Sequence, residues 1–203
     1  GTLNAILQEA GAALQRYFAL MDEAPQIRDV PGARPLQVAG GEIRFSDVQF
    51  RYRADAPALE GIDLTVPAGA TVALVGRSGS GKSSLLNLVP RLYDVTEGAV
   101  RIDGQDIRTV SLASLRAAVA VVSQDVVLFD DTIAANIGFG RPGATRAEIE
   151  AAAEAAAAHG FISRLPEGYD FPVGPAGGRL SGGERQRISL ARAFLKDAPI
   201  LLL

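Results

Sequence analysis

The sequence predicts an α/β domain in which helices flank a mainly parallel sheet that begins with an antiparallel portion. Strand candidates alternate with helical stretches through most of the chain, which is typical of this class. The apolar run 71–75 resembles a strand that is covered on both faces of a parallel sheet. Segments 43–50 and 59–66 instead alternate apolar and polar residues, so we expect a half-buried antiparallel portion before it.

Apolar residues recur at helical spacing from Leu3 to Met21, which predicts an amphipathic first helix. Two interpretations remain open: the helix packs on the domain, or it extends from an upstream region. Residues 24–41 are rich in proline and glycine and predict a linker, so the compact domain is expected to begin near Glu42. Further strands are expected at 99–103, 118–123 and 199–203, and further helices near 81–90, 111–117, 146–159 and 182–197.

The composition excludes several classes of function. The 203 residues contain no cysteine and one histidine, which removes thiol nucleophiles, disulfide frameworks and Cys/His zinc sites. A Ser-His-Asp hydrolase would depend entirely on His159. The net charge of -3 differs from the basic footprint of a nucleic-acid-binding protein, so we expect no nucleic-acid partner. No apolar run reaches the length of a membrane span.

Residues 76–83 fit the phosphate-loop pattern GxxxxGK[ST] and lie between the apolar run 71–75 and a helical stretch, as that motif requires. The glycines leave the backbone free to wrap a polyphosphate, and the following helix directs free N–H groups at it. We expect Lys82 to reach the β- and γ-phosphates and the Ser83 hydroxyl to ligate Mg²⁺. The alternative is a glycine- and serine-rich turn with a solvated lysine. The candidate ATP-binding residues here are Gly76, Ser78, Gly79, Ser80, Gly81, Lys82, Ser83 and Ser84.

A second Ser-Gly-Gly turn, within residues 180–187, opens a second helix and offers another anion-binding N-terminus. One nucleotide has no obvious need of two such cradles on one face. If the two turns are distant within a chain, a partner chain could bring them together.

With these motifs the sequence resembles the nucleotide-binding domain of ATP-binding cassette (ABC) transporters from about residue 42 to its end. The family signature LSGGQ is present as LSGGE at 180–184, Tyr52 stands at the adenine-stacking position, and Gln124 stands at the Q-loop. Phe129, Thr132, Asn136 and Ile137 resemble the stretch that follows that glutamine. The resemblance implies a P-loop NTPase core with an antiparallel β subdomain and an α-helical signature subdomain. It also implies catalytic roles for Lys82 and Gln124, metal contacts from Ser83 and Gln124, and ATP contacts from Tyr52, Gln124, Ser181, Gly182, Gly183 and Glu184.

Residues 16–25 are similar to the segment that follows the last membrane helix of exporters with fused membrane and ATPase regions. The resemblance therefore implies a membrane-domain tail and linker at 1–41 and a nucleotide-binding domain at 42–203. The implied partners are a second such domain, identical or different, and a transmembrane domain in the same polypeptide. The expected location is the cytoplasmic face of a membrane.

Both ends of the sequence suggest a piece of a longer protein, because Gly1 replaces the usual Met and 200–203 resemble the apolar part of a Walker B strand. In the family an Asp and a catalytic Glu would follow that strand. We therefore expect that this chain alone binds ATP without hydrolysing it efficiently.

Each match also has a simpler interpretation. Tyr52 could be an edge-packing aromatic, Gln124 a polar residue that ends a strand, and Ser181 a helix N-cap. His159 precedes the signature, so the family's switch-histidine role is not assigned to it.

The sequence also departs from the family pattern and leaves other functions open. Pro175-Ala176-Gly177 replaces the Glu-Arg-Gly of exporters, and Glu184 replaces glutamine. Other functions are a soluble ABC-type ATPase without transport, a degenerate cassette that holds ATP for regulation, or a small-molecule P-loop kinase. The kinase would leave residues 180–186 unexplained.

Overall fold

The structure of the protein, a computed structural model, describes residues 2–53 and 55–203, apart from the side chains of residues 3–7. Helix α1 spans Thr2–Met21, as its periodicity predicts. Its described side chains, from residue 8 onward, are exposed except for the half-buried Gly11. For residues 8–21 the interpretation of a helix packed on the domain is contradicted, because Leu14 and Phe18 on its apolar face are exposed. Among the described helices, none combines the length and the apolarity needed to cross a membrane.

The linker after α1 is attached to the domain by hydrogen bonds to side chains. Both carboxylate oxygens of Asp103 accept N–H groups from the four residues 39–42, at 2.8 to 3.0 Å. Further back, Leu36 is buried and its N–H donates to Ser114 Oγ at 2.8 Å. The last part of the linker thus forms a fixed contact, while the division at residue 42 stays a prediction.

The antiparallel portion is a four-stranded sheet in the order β2-β1-β3-β4. Its strands are β1 Ile43–Arg53, β2 Ala56–Val66, β3 Glu97–Ile102 and β4 Gln105–Asp106. Ile43 lies opposite Val66 on one side and Ile102 on the other, and the alternation that predicted β1 buries Ile43 and Phe45.

Helices α2 Lys82–Leu88 and α3 Leu112–Ala117 cover this part of the chain. Strand β5 Val119–Val121 pairs in parallel with β6 Ile200–Leu202, which is the parallel pairing that the α/β prediction requires. One hydrophobic core joins the antiparallel sheet, α2, α3 and the parallel pair.

The predicted strand at 71–75 is not observed. The segment forms no strand, and among the described residues no other strand pairs with it. Val75 is 95% exposed, although the apolar run 71–75 predicted a strand that is buried on both faces of a sheet. An apolar run becomes a strand only when neighbouring backbones pair with it, and local sequence does not report that pairing.

The remaining helices form a second hydrophobic core, separate from the first. They are α4 Ile133–Gly138, α5 Arg146–Ala155, α6 His159–Ile162 and α7 Gly182–Lys196, with short 3-10 turns at Gly168–Asp170 and Pro175–Gly177. Ile137 and Ile188 are fully buried where α4 meets α7. The expected helical subdomain is therefore present and carries residues 180–184 at the start of α7.

Candidate nucleotide-binding site

The phosphate loop ends in a glycine whose backbone conformation starts α2. Gly81 is the N-cap, with φ +85°, and no side chain caps the helix. A Cβ at this position would lie 2.6 Å from a methyl group of Leu59 and 2.9 Å from the carbonyl oxygen of Ala58. Glycine is therefore required both by the left-handed conformation and by the close approach of β2. The first N–H groups of α2 have no capping side chain and face the loop.

The Lys82 side chain folds over its own loop. Its Nζ donates to the carbonyl oxygens of Gly76 and Arg77, each at 2.9 Å, and to Ser80 Oγ at 3.3 Å. These acceptors are neutral, so phosphate oxygens would be stronger partners for the ammonium. The loop residues 76–80 are exposed, which leaves the cradle open to a ligand.

Tyr52 is attached to the same helix. Its hydroxyl donates to Ser84 Oγ at 3.1 Å, and its ring packs edge-on against Phe50 and Tyr93, with centroids 4.7 and 5.1 Å away. The side chain is 50% exposed, so part of the ring surface is accessible to a base. Edge packing and base stacking are thus compatible, and the stacking role stays a prediction.

Sequence reasoning missed Tyr93, which completes this aromatic cluster. Tyr93 lies between the buried Arg91 and Asp94, and the Arg91 guanidinium forms two hydrogen bonds with the Asp94 carboxylate, at 2.7 and 3.0 Å. In the sequence Tyr93 is an aromatic residue between an arginine and an aspartate, and this local pattern does not predict its contact with Tyr52.

The signature turn is closed by a capping box. The Ser181 hydroxyl and backbone N–H both donate to one oxygen of the Glu184 carboxylate, at 2.7 and 2.8 Å, and the Glu184 N–H donates back to Ser181 Oγ. The hydrogen bonds from Ser181 hold the pKa of Glu184 below its usual value, with a smaller contribution from the charge of Arg187. The N-cap interpretation of Ser181 is confirmed. Gly182 and Gly183 are exposed beside it.

The two cradles lie on different cores. Tyr52, Lys82 and Ser84 meet around α2 on the first core, whereas Ser181 and Glu184 begin a helix of the second core. No hydrogen bond of the described residues joins the two groups. Gln124 is exposed in the bend after β5, and in that same part of the chain it has no hydrogen bond to the phosphate loop.

The residues present fit a magnesium ion that arrives with a nucleotide. The described residues contain no group of three or more His, Cys, Asp or Glu side chains able to hold a metal. They do offer neutral oxygens, from the exposed Ser83 hydroxyl in the first turn of α2 and from the Gln124 amide. Mg²⁺ usually keeps several waters and takes substrate phosphates together with few protein ligands, so this donor set suits it.

His159 has a structural role in the second core. Its Nδ1 lies 2.8 Å from the Tyr169 hydroxyl, and its Nε2 lies 3.1 Å from Ser163 Oγ. Ser163 Oγ also donates to the His159 carbonyl, so its proton is directed at the backbone. Burial raises the pKa of Tyr169 to about 12, so its hydroxyl stays protonated at neutral pH. Because the Ser163 hydroxyl donates to the backbone carbonyl, it is not directed at the imidazole as a serine nucleophile would be, which argues against a hydrolase.

Comparison with known proteins decides the family. The sequence model described as "ABC transporter" matches residues 59–203, which is more than half of the chain. The chain belongs to the ABC transporter family. This ABC cassette is 50% identical over 201 residues to an ATP-dependent lipid A-core flippase of Syntrophus aciditrophicus, an alignment that covers 99% of this chain and 33% of the flippase. It is 51% identical over 189 residues to an ATM1-type heavy metal exporter of Novosphingobium aromaticivorans, covering 93% of this chain and 31% of the exporter.

A solved structure supports the same conclusion for the fold of this ABC cassette. A bacterial Atm1-family ABC exporter with ATP bound superposes with a TM-score of 0.92 at 48% identity, covering 96% of this chain and 34% of that chain. The cassette thus spans about a third of the length of these relatives. The resemblance to exporter-type nucleotide-binding domains and the predicted α/β fold class are both confirmed.

Proposed function

We propose that the chain is the ATP-binding motor domain of an ABC exporter, in which ATP binding and hydrolysis by the parent protein drive a substrate across a membrane. The observation that carries the proposal is the phosphate loop. There Gly81, in a left-handed backbone conformation, precedes a helix that has no capping side chain, and the Lys82 ammonium donates to the carbonyl oxygens of Gly76 and Arg77. The similarity to exporters supports a location at the cytoplasmic face, with a transmembrane domain in the same polypeptide.

On binding, we infer that Lys82 exchanges the carbonyl oxygens of Gly76 and Arg77 for phosphate oxygens. Tyr52 stacks on the base while its hydroxyl keeps the ring beside α2 through Ser84. Ser83 and Gln124 would hold the magnesium ion, which would neutralise charge on the phosphates. Gln124 also orients the attacking water, because its amide can accept and donate hydrogen bonds without taking a proton.

The signature acts on the nucleotide of a second cassette. The separate location of the two cradles supports a head-to-tail pair in which Ser181 and Gly183 of one chain face Lys82 and Ser83 of the other. To donate to a phosphate, the Ser181 hydroxyl must leave the Glu184 carboxylate. The closed capping box therefore represents the resting arrangement of this half-site.

The contact with the membrane domain is expected near Gln124 and residues 129–137. Beside this stretch the side chains of Val127, Phe129 and Phe139 are exposed, and the two phenyl rings pack with centroids 4.7 Å apart. An exposed apolar group of this kind is typical of a surface that another protein segment covers. Movement on nucleotide binding would pass through it to the membrane domain.

The 203-residue chain alone is proposed to bind ATP without efficient hydrolysis. Hydrolysis needs a base for the attacking water, and Gln124 cannot supply one. Among the described residues, no carboxylate is hydrogen-bonded or ion-paired to Lys82 or the rest of the phosphate loop. A steady release of phosphate from the purified chain that Lys82→Ala abolishes would overturn this part of the proposal.

Calorimetric titration of the chain with Mg-ATP tests the binding function. We expect one nucleotide per chain, a loss of affinity of roughly 5- to 100-fold for Tyr52→Ala, and little loss for Tyr52→Phe, because stacking needs the ring and not the hydroxyl. Absence of Mg-ATP binding by the unaltered chain would contradict the proposal. Equal losses in the two variants would contradict the stacking role alone.

A further inference from the structure

Arg192 lies in α7, eleven residues after Ser181, and its guanidinium is directed into the neighbouring segment 127–139, which we call the patch segment. Its Nε donates to the carbonyl oxygen of Asn136 at 2.8 Å, Nη2 to Asn136 Oδ1 at 3.0 Å, and Nη1 to the carbonyl oxygen of Val127 at 3.1 Å. All three partners are uncharged oxygens. The guanidinium thus makes three hydrogen bonds to the patch segment, at two points nine residues apart.

The hydrogen-bond partner Asn136 is fully buried and fixes the shape of the patch segment. Its Oδ1 accepts the N–H of Phe129 at 2.9 Å, and its Nδ2 donates to the carbonyl oxygens of Phe129 and Thr132, both at 3.0 Å. The side chain therefore joins the start of the patch segment to α4. Arg192 and Asn136 together form one polar network between α7 and this segment.

Packing reinforces the same contact. The guanidinium carbon of Arg192 lies 5.6 and 5.8 Å from the ring centroids of Phe129 and Phe139, the exposed aromatic pair. Gly140 lies so close to the backbone of Arg192 that a Cβ there would overlap the Arg192 carbonyl oxygen. Burial lowers the pKa of Arg192, and at neutral pH the group stays charged. The exposed patch and α7 are thus held by side-chain and backbone contacts at one place.

We propose that Arg192 is a positioning residue that fastens the signature helix to the patch segment, so that the Ser181 turn and the exposed aromatic pair move as one body. Eleven residues correspond to roughly 16 Å along a helix, so α7 acts as a rigid lever between the two ends. This inference rests on the proposed function. It identifies Arg192 as the residue that couples movement of the nucleotide half-site to movement of the membrane-facing surface.

The test measures one distance within a single chain of the parent transporter. Spin labels are attached to cysteines introduced at Asp130 and Gln186, both exposed, in a chain that has no cysteine of its own. Any cysteine elsewhere in the parent is replaced, and labelled protein is mixed with excess unlabelled protein. We expect a single distance that is the same with and without Mg-ATP. For Arg192→Gln we expect a second, broader population that grows when Mg-ATP is added.

The matched control is Lys196→Met. Lys196 is also a basic residue of α7 that donates to backbone carbonyls, at 2.6 Å to Arg116 and to Val119, but these belong to the first core. We expect this variant to be less stable and to keep the single distance. A single, unchanged distance in Arg192→Gln would overturn the proposal and leave Arg192 a purely structural residue.

Two additions separate the possible failures. If Arg192→Gln does not fold, Arg192→Lys decides the question, because it keeps the charge but loses the planar fork that reaches both Asn136 and Val127. In that variant a single distance overturns the proposal and two populations support it.

Turnover of the Arg192→Gln parent is also measured. We expect kcat for ATP to fall severalfold with an unchanged KM, since Lys82 and Tyr52 lie on the other core. Absence of Mg-ATP binding in the unaltered parent would refute the proposed function, whereas the labelled distance tests Arg192 independently.

Discussion

The two glycine-rich turns of this chain begin helices in opposite ways. At the phosphate loop, Gly81 precedes α2 without a capping side chain, and Lys82 is held only by neutral loop oxygens. At the signature, Ser181 precedes α7 and its hydroxyl and N–H are both taken by the carboxylate of Glu184. One turn leaves its donors for a ligand, and the other satisfies the two donors of Ser181 with an anion from its own chain.

Asp103 gives a second example of an internal anion, since its carboxylate binds four consecutive N–H groups of the linker. A carboxylate within the chain occupies such a nest in the resting structure, whereas a nest without one is ready for phosphate. The presence or absence of the internal anion therefore distinguishes a turn that is closed at rest from one that is open to a ligand at rest. Changes at each turn should have different consequences.

The largest effect is expected at the open turn, from Lys82→Ala. Removal of the ammonium takes away its charge-assisted hydrogen bonds to the phosphates, and we expect Mg-ATP affinity to fall on the order of 100-fold. The matched control is Lys196→Ala, at the only other lysine of the chain, which should retain the affinity. Calorimetry of both variants gives the comparison. Similar losses would show that the ammonium has no special place in the cradle.

A smaller effect is expected from two glycines of the same loop that share a left-handed backbone. In Gly81→Ala, the new Cβ would lie 2.6 Å from Leu59 and 2.9 Å from a backbone oxygen of Ala58, so both thermal stability and Mg-ATP binding should fall. Gly79, with φ +81°, has no atom within 4 Å of the corresponding position. Gly79→Ala should cost only the backbone strain, about 1–2 kcal/mol. Thermal unfolding that shows equal losses would contradict the role of the contact with β2.

The sequence predicted those features of the two turns that depend on residues close together in the chain. The phosphate loop, the N-cap of Ser181 and the boundaries of α7 follow from residue types a few positions apart. Features set by distant parts of the chain were missed. The run 71–75 has strand composition but no pairing, and Arg192 meets Asn136 across 56 residues of sequence. Nothing local to either residue indicates that contact.

A still smaller effect on stability is expected at the closed turn. Ser181→Ala breaks the capping box and should cost about 1 kcal/mol of stability. If the hydroxyl also contacts a partner's nucleotide, turnover of the parent transporter falls while Mg-ATP binding to the single chain is spared. Helix α5 supplies the matched control, because Thr145 and Glu148 form the same capping box away from the signature. Thr145→Ala should lose similar stability and keep its turnover. Loss of Mg-ATP binding in Ser181→Ala would contradict the shared-site geometry.

The smallest effect is expected at the second internal anion and appears on acidification. The N–H groups of residues 39–42, that of Gly41 foremost, lower the pKa of Asp103 from 3.8 to about 2. Because the folded pKa lies below the unfolded one, the stabilisation is complete above about pH 4 and is lost as the pH falls towards about 2. The amide resonances of Gly40 and Gly41 should therefore shift over that range, and Asp103→Asn, which has no proton to bind, should remove the transition. The amide of Gly81, in the turn without an internal carboxylate, should show no such titration; if it follows the same curve, the distinction between the open and closed turns fails.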